Sequence, residues 1–261
     1  MKKIETKDWV GIIMGMLAIF LIAYYGFINK KPVNHENGYV LNQTAINESG
    51  EGYSITGSFP EMSGGNNPSA FNDYISYVIN AKEDDFRQGL KDMNTSLLPP
   101  EMRNVTSTLI VNYSVVATST DFVSLLFNSE SYFVGMAHPS HAMDSVNFNL
   151  TSGKNISLGD IFIQNSNYLN LIADYSKNDI LNQIKNGSYS SSQEYLDQSG
   201  GFLPDETNFQ VFNITPQALI IHFQEYQAGP YVSGPAEVSI PWSILKDVLD
   251  PKGAESGLVV Y

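Results

Sequence analysis

Hydrophobic and polar positions along this chain fall into three regimes. From Trp9 to Ile28 the run WVGIIMGMLAIFLIAYYGFI carries no charge. From Asn29 to Gly52 the sequence is polar and poorly periodic. From Tyr53 to Asp250 apolar residues recur with periods of two and of three to four, the marks of strands and helices. Lysines flank the first regime: Lys2, Lys3 and Lys7 before it, Lys30 and Lys31 after it. At 1.5 Å per residue its length spans about 30 Å, the thickness of bilayer hydrocarbon. Trp9, Tyr24, Tyr25 and Phe27 sit near its ends, where amphipathic rings favour the interface. The pattern predicts a transmembrane anchor at 9–28 behind a cytoplasmic tail at 1–8. The protein is thus expected in the cell membrane, single-pass, with Asn29 onward outside the cytoplasm. A cleavable signal peptide is the alternative; the length of the run and the lack of a small-x-small site after Ala23 stand against it. Residues 29–52 read as a linker lifting a folded body off the membrane.

The third regime predicts its elements in order. Tyr53–Pro60 alternates as a first strand. A helix follows, with Asn67 as cap, Pro68 at the first helical position, and Phe71, Ile75, Val78 and Ile79 as its apolar stripe, extended by Phe86 and Leu90 to about Met93. The charge block Lys82-Glu83-Asp84-Asp85 is its solvated side. Leu109, Val111, Tyr113 and Val115 alternate as a strand. A turn at Thr118–Thr120 leads to Phe122–Asn128, then an edge at Tyr132–Val134, and Val146, Phe148 and Leu150 alternate again. A second helix carries Tyr168, Leu171, Ile172, Tyr175, Leu181 and Ile184 and ends at Gly187. Strands at Phe209–Ile214 and Leu219–Glu225 follow, and Pro241-Trp242 opens a short helix through Leu245, Val248 and Leu249. Hairpin-spaced strands between helices indicate an α+β fold: a mainly antiparallel sheet with two longer helices and a short C-terminal helix, preceded by one transmembrane helix.

Charge and composition narrow the function. The chain has 14 basic and 27 acidic residues, a formal charge of −13, and no cysteine. Setting aside Lys2, Lys3, Lys7, Glu5 and Asp8 leaves 11 basic against 25 acidic residues from Asn29 onward, a charge of −14. Such a body repels polyanions, which argues against nucleic acid as a partner and favours encounter with basic proteins. The absence of cysteine excludes a disulfide scaffold, a thiolate zinc site and a thiol nucleophile.

Two blocks carry a family resemblance. GMAHPSHAMDSVNFNLTSGKNISLGDIF, at Gly135 to Phe162, resembles a pattern of A-H, a strand F-x-L, T-x-G-K and L-x-D-x-F. FQEYQAGPYVSGPAEVSIPWSIL, at Phe223 to Leu245, is similar to the closing pattern F-x-x-Y-x-x-x-P-Y-x-x-G followed by I-P-x-x-x-L. Together they resemble the extracytoplasmic domain of unknown function shared by RsiV-type anti-sigma factors and PdaC-type peptidoglycan deacetylases. The resemblance runs from about Tyr53 to Asp250. It implies an N-terminal portion at 53–134, a C-terminal portion at 135–250 and a tail at 251–261. RsiV-type domains sense lysozyme outside the membrane, so the resemblance implies lysozyme as a partner. An eight-residue cytoplasmic tail is too short for the sigma-binding segment of that family. The aspartate-rich motif and H-x-x-x-H pair of the deacetylases do not occur here, so neither activity is carried over.

The residues offer few candidates for chemistry. His138 and His141, three apart, could chelate Zn²⁺ if His222, Asp144 or a distant carboxylate completed the set. No third ligand stands at normal spacing, so the expectation is no metal and no cofactor, with His138 packing in its loop and His141 incidental. Asp160 reads as the cap of a turn starting at Ile161; Asp144 and Glu225 are lone carboxylates. The N-x-S/T matches, Asn112 and Asn213 among them, carry no weight in an Asn-rich chain. The loop Tyr226–Pro235 is the strongest surface candidate, since Gly and Pro fix its backbone and Tyr226 and Tyr231 offer rigid contact area; a buried corner at Pro230 and Tyr231 is its alternative. The expected binding residues are Tyr226, Pro230, Tyr231 and His138. The expected function is a membrane-anchored, non-catalytic binding or sensing module for lysozyme, another basic envelope protein or a wall glycan. The alternative is a cell-wall-active enzyme with a metal or acid–base site near His138 and His141.

Overall fold

The computed structural model describes residues 33–34, 38–94, 98–102 and 105–251. The anchor expected at Trp9–Ile28, the tail before it and residues 252–261 lie outside that set. Among the described residues no helix is long and apolar enough to cross a membrane. The chain is α+β. A seven-stranded sheet runs in sequence order: β1 (Val33–Asn34), β2 (Tyr39–Gly50), β3 (Tyr53–Gly64), β4 (Ser107–Thr118), β5 (Phe122–Tyr132), β6 (Ser140–Asn149) and β7 (Lys154–Asn155). β3 and β4 pair in parallel across the helical crossover, while β2–β3, β4–β5, β5–β6 and β6–β7 are antiparallel. A second sheet, ordered β10-β9-β8, is antiparallel and comprises β8 (Phe212–Ile214), β9 (Ala218–Phe223) and β10 (Ala236–Pro241).

Among the described residues, four α-helices serve these sheets: α1 (Pro68–Asp92), α2 (Tyr168–Asn186), α3 (Gln193–Ser199) and α4 (Trp242–Leu245). α1 buries Phe71, Ile75, Ile79 and Phe86 on one face of the large sheet, against Ile55, Val111, Leu125, Phe127 and Phe148. α2 buries Ile172, Ala173 and Ile180 in a second core with Phe209, Leu219, Ile221, Phe223, Val238 and Trp242. Gly187 closes α2 in the left-handed conformation (φ 79°), as its position after the apolar stripe predicts. The parallel pairing of β3 with β4 ends at Gly57 opposite Val111. Gly57 has φ 142°, and a Cβ there would lie 1.8 Å from the Val111 carbonyl oxygen, so no side chain fits.

Several expectations need correction. The segment 29–52 is not a tether throughout, because Tyr39–Gly50 is a strand paired with β3 along its length. Tyr39 and Leu41 alternate inward, but the pattern breaks before Ile46, and Asn42 and Thr44 spend their polarity on Ser63 and Glu61 of the neighbouring strand. Asn67 caps α1 by position only: it is left-handed (φ 51°), and its side-chain amide donates to the carbonyls of Leu150 and Thr151. Tyr132 ends β5 rather than opening an edge. Glu206–Phe209 is a 3₁₀ turn, N-capped by Asp205, before β8. Asp160 is the third residue of a 3₁₀ turn, accepting from the backbone and hydroxyl of Ser157, which is the cap. α3 went unread because only Leu196 of its seven residues is buried, too few to set a period.

The contact between the two sheets is polar. β8 crosses β4, β5 and β6 on the face opposite α1. Ser124, Asn147, Asn213 and His222 are buried there. Ser124 Oγ donates to Asn147 Oδ1 at 2.8 Å, Asn147 Nδ2 donates to the Phe212 carbonyl, and the Ile214 amide donates back to Asn147 Oδ1. Asn213 Nδ2 donates to Ser124 Oγ and to the Leu125 carbonyl. That leaves Asn213 Oδ1 as acceptor for His222 Nε2 at 2.8 Å, which fixes the imidazole tautomer. Glu237 lies 3.5 Å from His222 Nδ1 but is 60% exposed. Burial outweighs it and pushes the His222 pKa from 6.5 down to about 4.

Between those two values the unfolded chain binds a proton that the folded chain refuses, so stability rises with pH across this window. Acidification from pH 6.5 to 4 should therefore cost the protein up to about 3 kcal/mol from this group. Urea titrations at stepped pH should show that loss, and His222→Asn should flatten it; an unchanged slope in the variant would assign the acid sensitivity elsewhere.

Candidate functional site

The docking of the small sheet brings the end of β9 over the distal end of the β5–β6 hairpin. Gln224 is the hinge of that contact. Its side-chain amide donates to the Met143 carbonyl at 2.7 Å and accepts from the Met143 amide at 2.9 Å, pairing with β6 as a neighbouring strand would. The next residue, Glu225, accepts from His141 Nδ1 at 2.8 Å, and His141 Nε2 stands 3.3 Å from Glu130 Oε2. His141 and Glu130 are cross-strand partners in the hairpin. A cleft of about 460 Å³ opens beside them, lined by Asn112, Asn128, Glu130, His141, Gln224 and Glu225. Asn112 Oδ1 is buried in its wall without a protein partner.

A row of rings continues from this cleft to the surface. Tyr231 stacks on His138 with centroids 4.0 Å apart, on His141 at 6.0 Å, and lies 6.0 Å from Tyr226. The Tyr231 hydroxyl donates to the Pro139 carbonyl, tying the loop to the hairpin turn. Partial burial, then Glu225, Tyr226 and Glu130, raise the Tyr231 pKa above its ordinary value, so it remains a donor. Tyr226 is 53% exposed and holds the left-handed conformation (φ 66°), uncommon for an aromatic residue. The Tyr195 hydroxyl donates to the Tyr226 carbonyl at 2.8 Å and holds it there. Ser191 anchors the loop again through the Ala228 carbonyl. The backbone is over-determined, which keeps the exposed rings preorganised.

The four residues expected from sequence, Tyr226, Pro230, Tyr231 and His138, thus occupy one surface. Pro230 is exposed and Tyr231 half-buried, so the buried corner does not form. His141 is not incidental, since both its ring nitrogens face carboxylates. Glu225 and Asp144 are not lone: Glu225 meets His141, and Asp144 pairs with Lys82 on the other side of the hairpin. His138 Nδ1 is directed at the Pro139 carbonyl, 2.8 Å away, rather than toward His141. Among the described residues no group of three or more His, Asp or Glu side chains could hold a metal. Sequence reasoning missed Glu130, Gln224 and Tyr195, whose partners are remote in the chain.

Comparison with known proteins agrees with this architecture. Residues 159–243 match a family model described as a protein of unknown function, DUF3298. The chain is 24% identical over 222 residues to the peptidoglycan-N-acetylmuramic acid deacetylase PdaC of Bacillus subtilis strain 168. That match covers 85% of this chain and 44% of PdaC, so the chain spans less than half of its curated relative. A DUF3298 family member from Bacteroides fragilis NCTC 9343 shares the fold with a TM-score of 0.57 and 16% identity, covering 86% of this chain and 98% of that one. A DUF3298 family protein from Pseudomonas aeruginosa PAO1 does so with a TM-score of 0.54 and 15% identity, covering 82% and 95%. Residues 159–243 thus resemble the DUF3298 family, the fold is shared with solved members of that family, and the chain is similar to part of PdaC, in line with the two sequence blocks.

Proposed function

We propose that this chain is a non-catalytic binding and sensing module, held outside the cytoplasm by an anchor at Trp9–Ile28, and that its partner is a basic envelope protein such as a lysozyme. The observation that carries this reading is the surface of Tyr226, Tyr231 and His138: two exposed rings around a half-buried one, rigidly backed and edged by Glu225 and Glu130. Tyrosines that lose little freedom on binding are the usual anchors of a protein interface. Net negative charge steers a cationic protein toward them and repels polyanionic wall polymers. The relative's activity on peptidoglycan supports an address in the cell envelope.

One observation favours a second reading, a wall-active enzyme: the His141–Glu225 bond resembles the base-and-orienter pair of a hydrolase. Here, however, the other ring nitrogen faces Glu130 rather than a nucleophile. The imidazole is clamped between two carboxylates, a geometry suited to joining the hairpin to the loop.

Binding of full-length protein to purified lysozyme, measured at low and moderate salt, tests the proposal. Saturable binding is expected, weaker at moderate salt through slower association. Tyr231→Ala should raise Kd at least about tenfold, and Tyr195→Phe, which only frees the backbone of Tyr226, should weaken binding less. No detectable binding at either salt removes this partner. Turnover of a wall substrate that His141→Gln abolishes would instead establish the enzyme.

A further inference from the structure

A second groove lies on the opposite face of the same hairpin, between α1 and the sheet. Where α1 crosses the middle of the sheet, Phe71 and Ile75 meet large apolar residues and the space is filled. Toward the hairpin end the same sheet face changes character. The cross-strand pairs there are Ser129 with Ala142 and Ser131 with Ser140, and the helix above offers Ala81. The cavity left has a volume of about 520 Å³, within the range of small-ligand sites.

Its lining is chemically mixed in a particular way. Tyr77, 68% exposed at the rim, lies 6.2 Å from Tyr74, which lies 5.8 Å from buried Phe148, so a row of rings leads from solvent to the core. Burial, with smaller contributions from Tyr77 and Asp144, raises the Tyr74 pKa and keeps that hydroxyl a neutral donor. Across from the rings stands the wall of serines. Lys82 and Asp144 form an ion pair on the groove's side, with Lys82 mostly buried and Asp144 half-exposed. The Ser131 and Ser140 side chains make no hydrogen bond with another described residue.

The lining discriminates among ligand classes. An anion meets Asp85, Asp144 and the overall negative charge. A cation finds Asp144 already paired with the Lys82 ammonium. A wholly apolar ligand would strip water from the serines and the ion pair without replacing their hydrogen bonds. A neutral pyranose suits all three features: its C–H face stacks on Tyr77, and its hydroxyls both donate and accept, as serines and an ion pair require. We propose that the groove between α1 and the β5–β6 hairpin binds a neutral saccharide, one ring resting on Tyr77 and its hydroxyl edge on Ser131, Ser140 and the Lys82–Asp144 pair. This site is separate from the Tyr226–Tyr231 surface and does not rest on the protein partner proposed there.

Titration of full-length protein with cellotriose and with chitotriose, followed by calorimetry, tests it. Saturable binding of at least one trisaccharide is expected, with Kd about 1 mM or below; preference for chitotriose would add the N-acetyl groups to the recognised chemistry. Tyr77→Ala, at an exposed position, should weaken binding at least tenfold, and Ala81→Trp, which fills the groove from the exposed side of the helix, should abolish it. Tyr231→Ala should leave saccharide binding unchanged, which separates this site from the protein-binding surface. Absence of binding by both trisaccharides, binding that survives Tyr77→Ala and Ala81→Trp, or loss on Tyr231→Ala alone would overturn the proposal.

Discussion

Two amides that cannot reach water set how the two sheets of this structure dock. Asn147 on β6 and Asn213 on β8 are 1% and 0% exposed, and each leaves a buried donor and acceptor that must be satisfied. A buried amide without partners costs about 1–3 kcal/mol, so an offset of the two sheets that broke several of these bonds would be heavily penalised. Apolar surfaces slide over one another with little loss, whereas this seam fits in one register. Asn213 reaches the Leu125 carbonyl and Ser124, Asn147 reaches the Phe212 carbonyl, and His222 completes the chain as a neutral donor. The polar seam supplies specificity of docking; the two hydrophobic cores on either side supply most of the driving force.

The surface chemistry follows from that docking. Two residues beyond His222, Gln224 pairs with the backbone of β6, and Glu225 meets His141. The Tyr226 and Tyr231 rings then project over the hairpin, held by Tyr195 and by the Pro139 carbonyl. The β5–β6 hairpin consequently has two distinct outer faces. One is acidic and aromatic, shaped by the loop after β9; the other is hydroxylated and shaped by α1. A single pair of strands presents both because alternate side chains point to opposite sides.

Much of the fold was legible in the sequence because apolar periods are local. The stripe of Phe71, Ile75 and Ile79, the alternation of Leu109 and Val111, and the Gly187 stop all lie within a few turns or strand pairs of one another. Strand β2 was illegible because its polar residues are satisfied by β3, and neither strand alone reveals that exchange. In sequence, Asn213 is one more Asn-x-Thr match, and His222 enters only as a distant zinc candidate. Both are buried because the small sheet is covered on two sides, apolar toward α2 and polar toward the large sheet. At the site, the exposed Tyr226 and the half-buried Tyr231 could be read from a loop of Gly and Pro. Glu130 and Tyr195 could not, since what matters in them is a partner 11 residues away across a hairpin or 31 residues along the chain.

The claim that the seam is a connected unit is tested most directly by a double-mutant cycle between Asn147→Leu and Asn213→Leu, read as unfolding free energies in urea. Both side chains bond Ser124, so the account predicts single losses that do not add, with a coupling energy on the order of 1–3 kcal/mol. Losses that sum to within about 0.5 kcal/mol would mean that the two amides act independently. The sheets would then owe their register to packing alone.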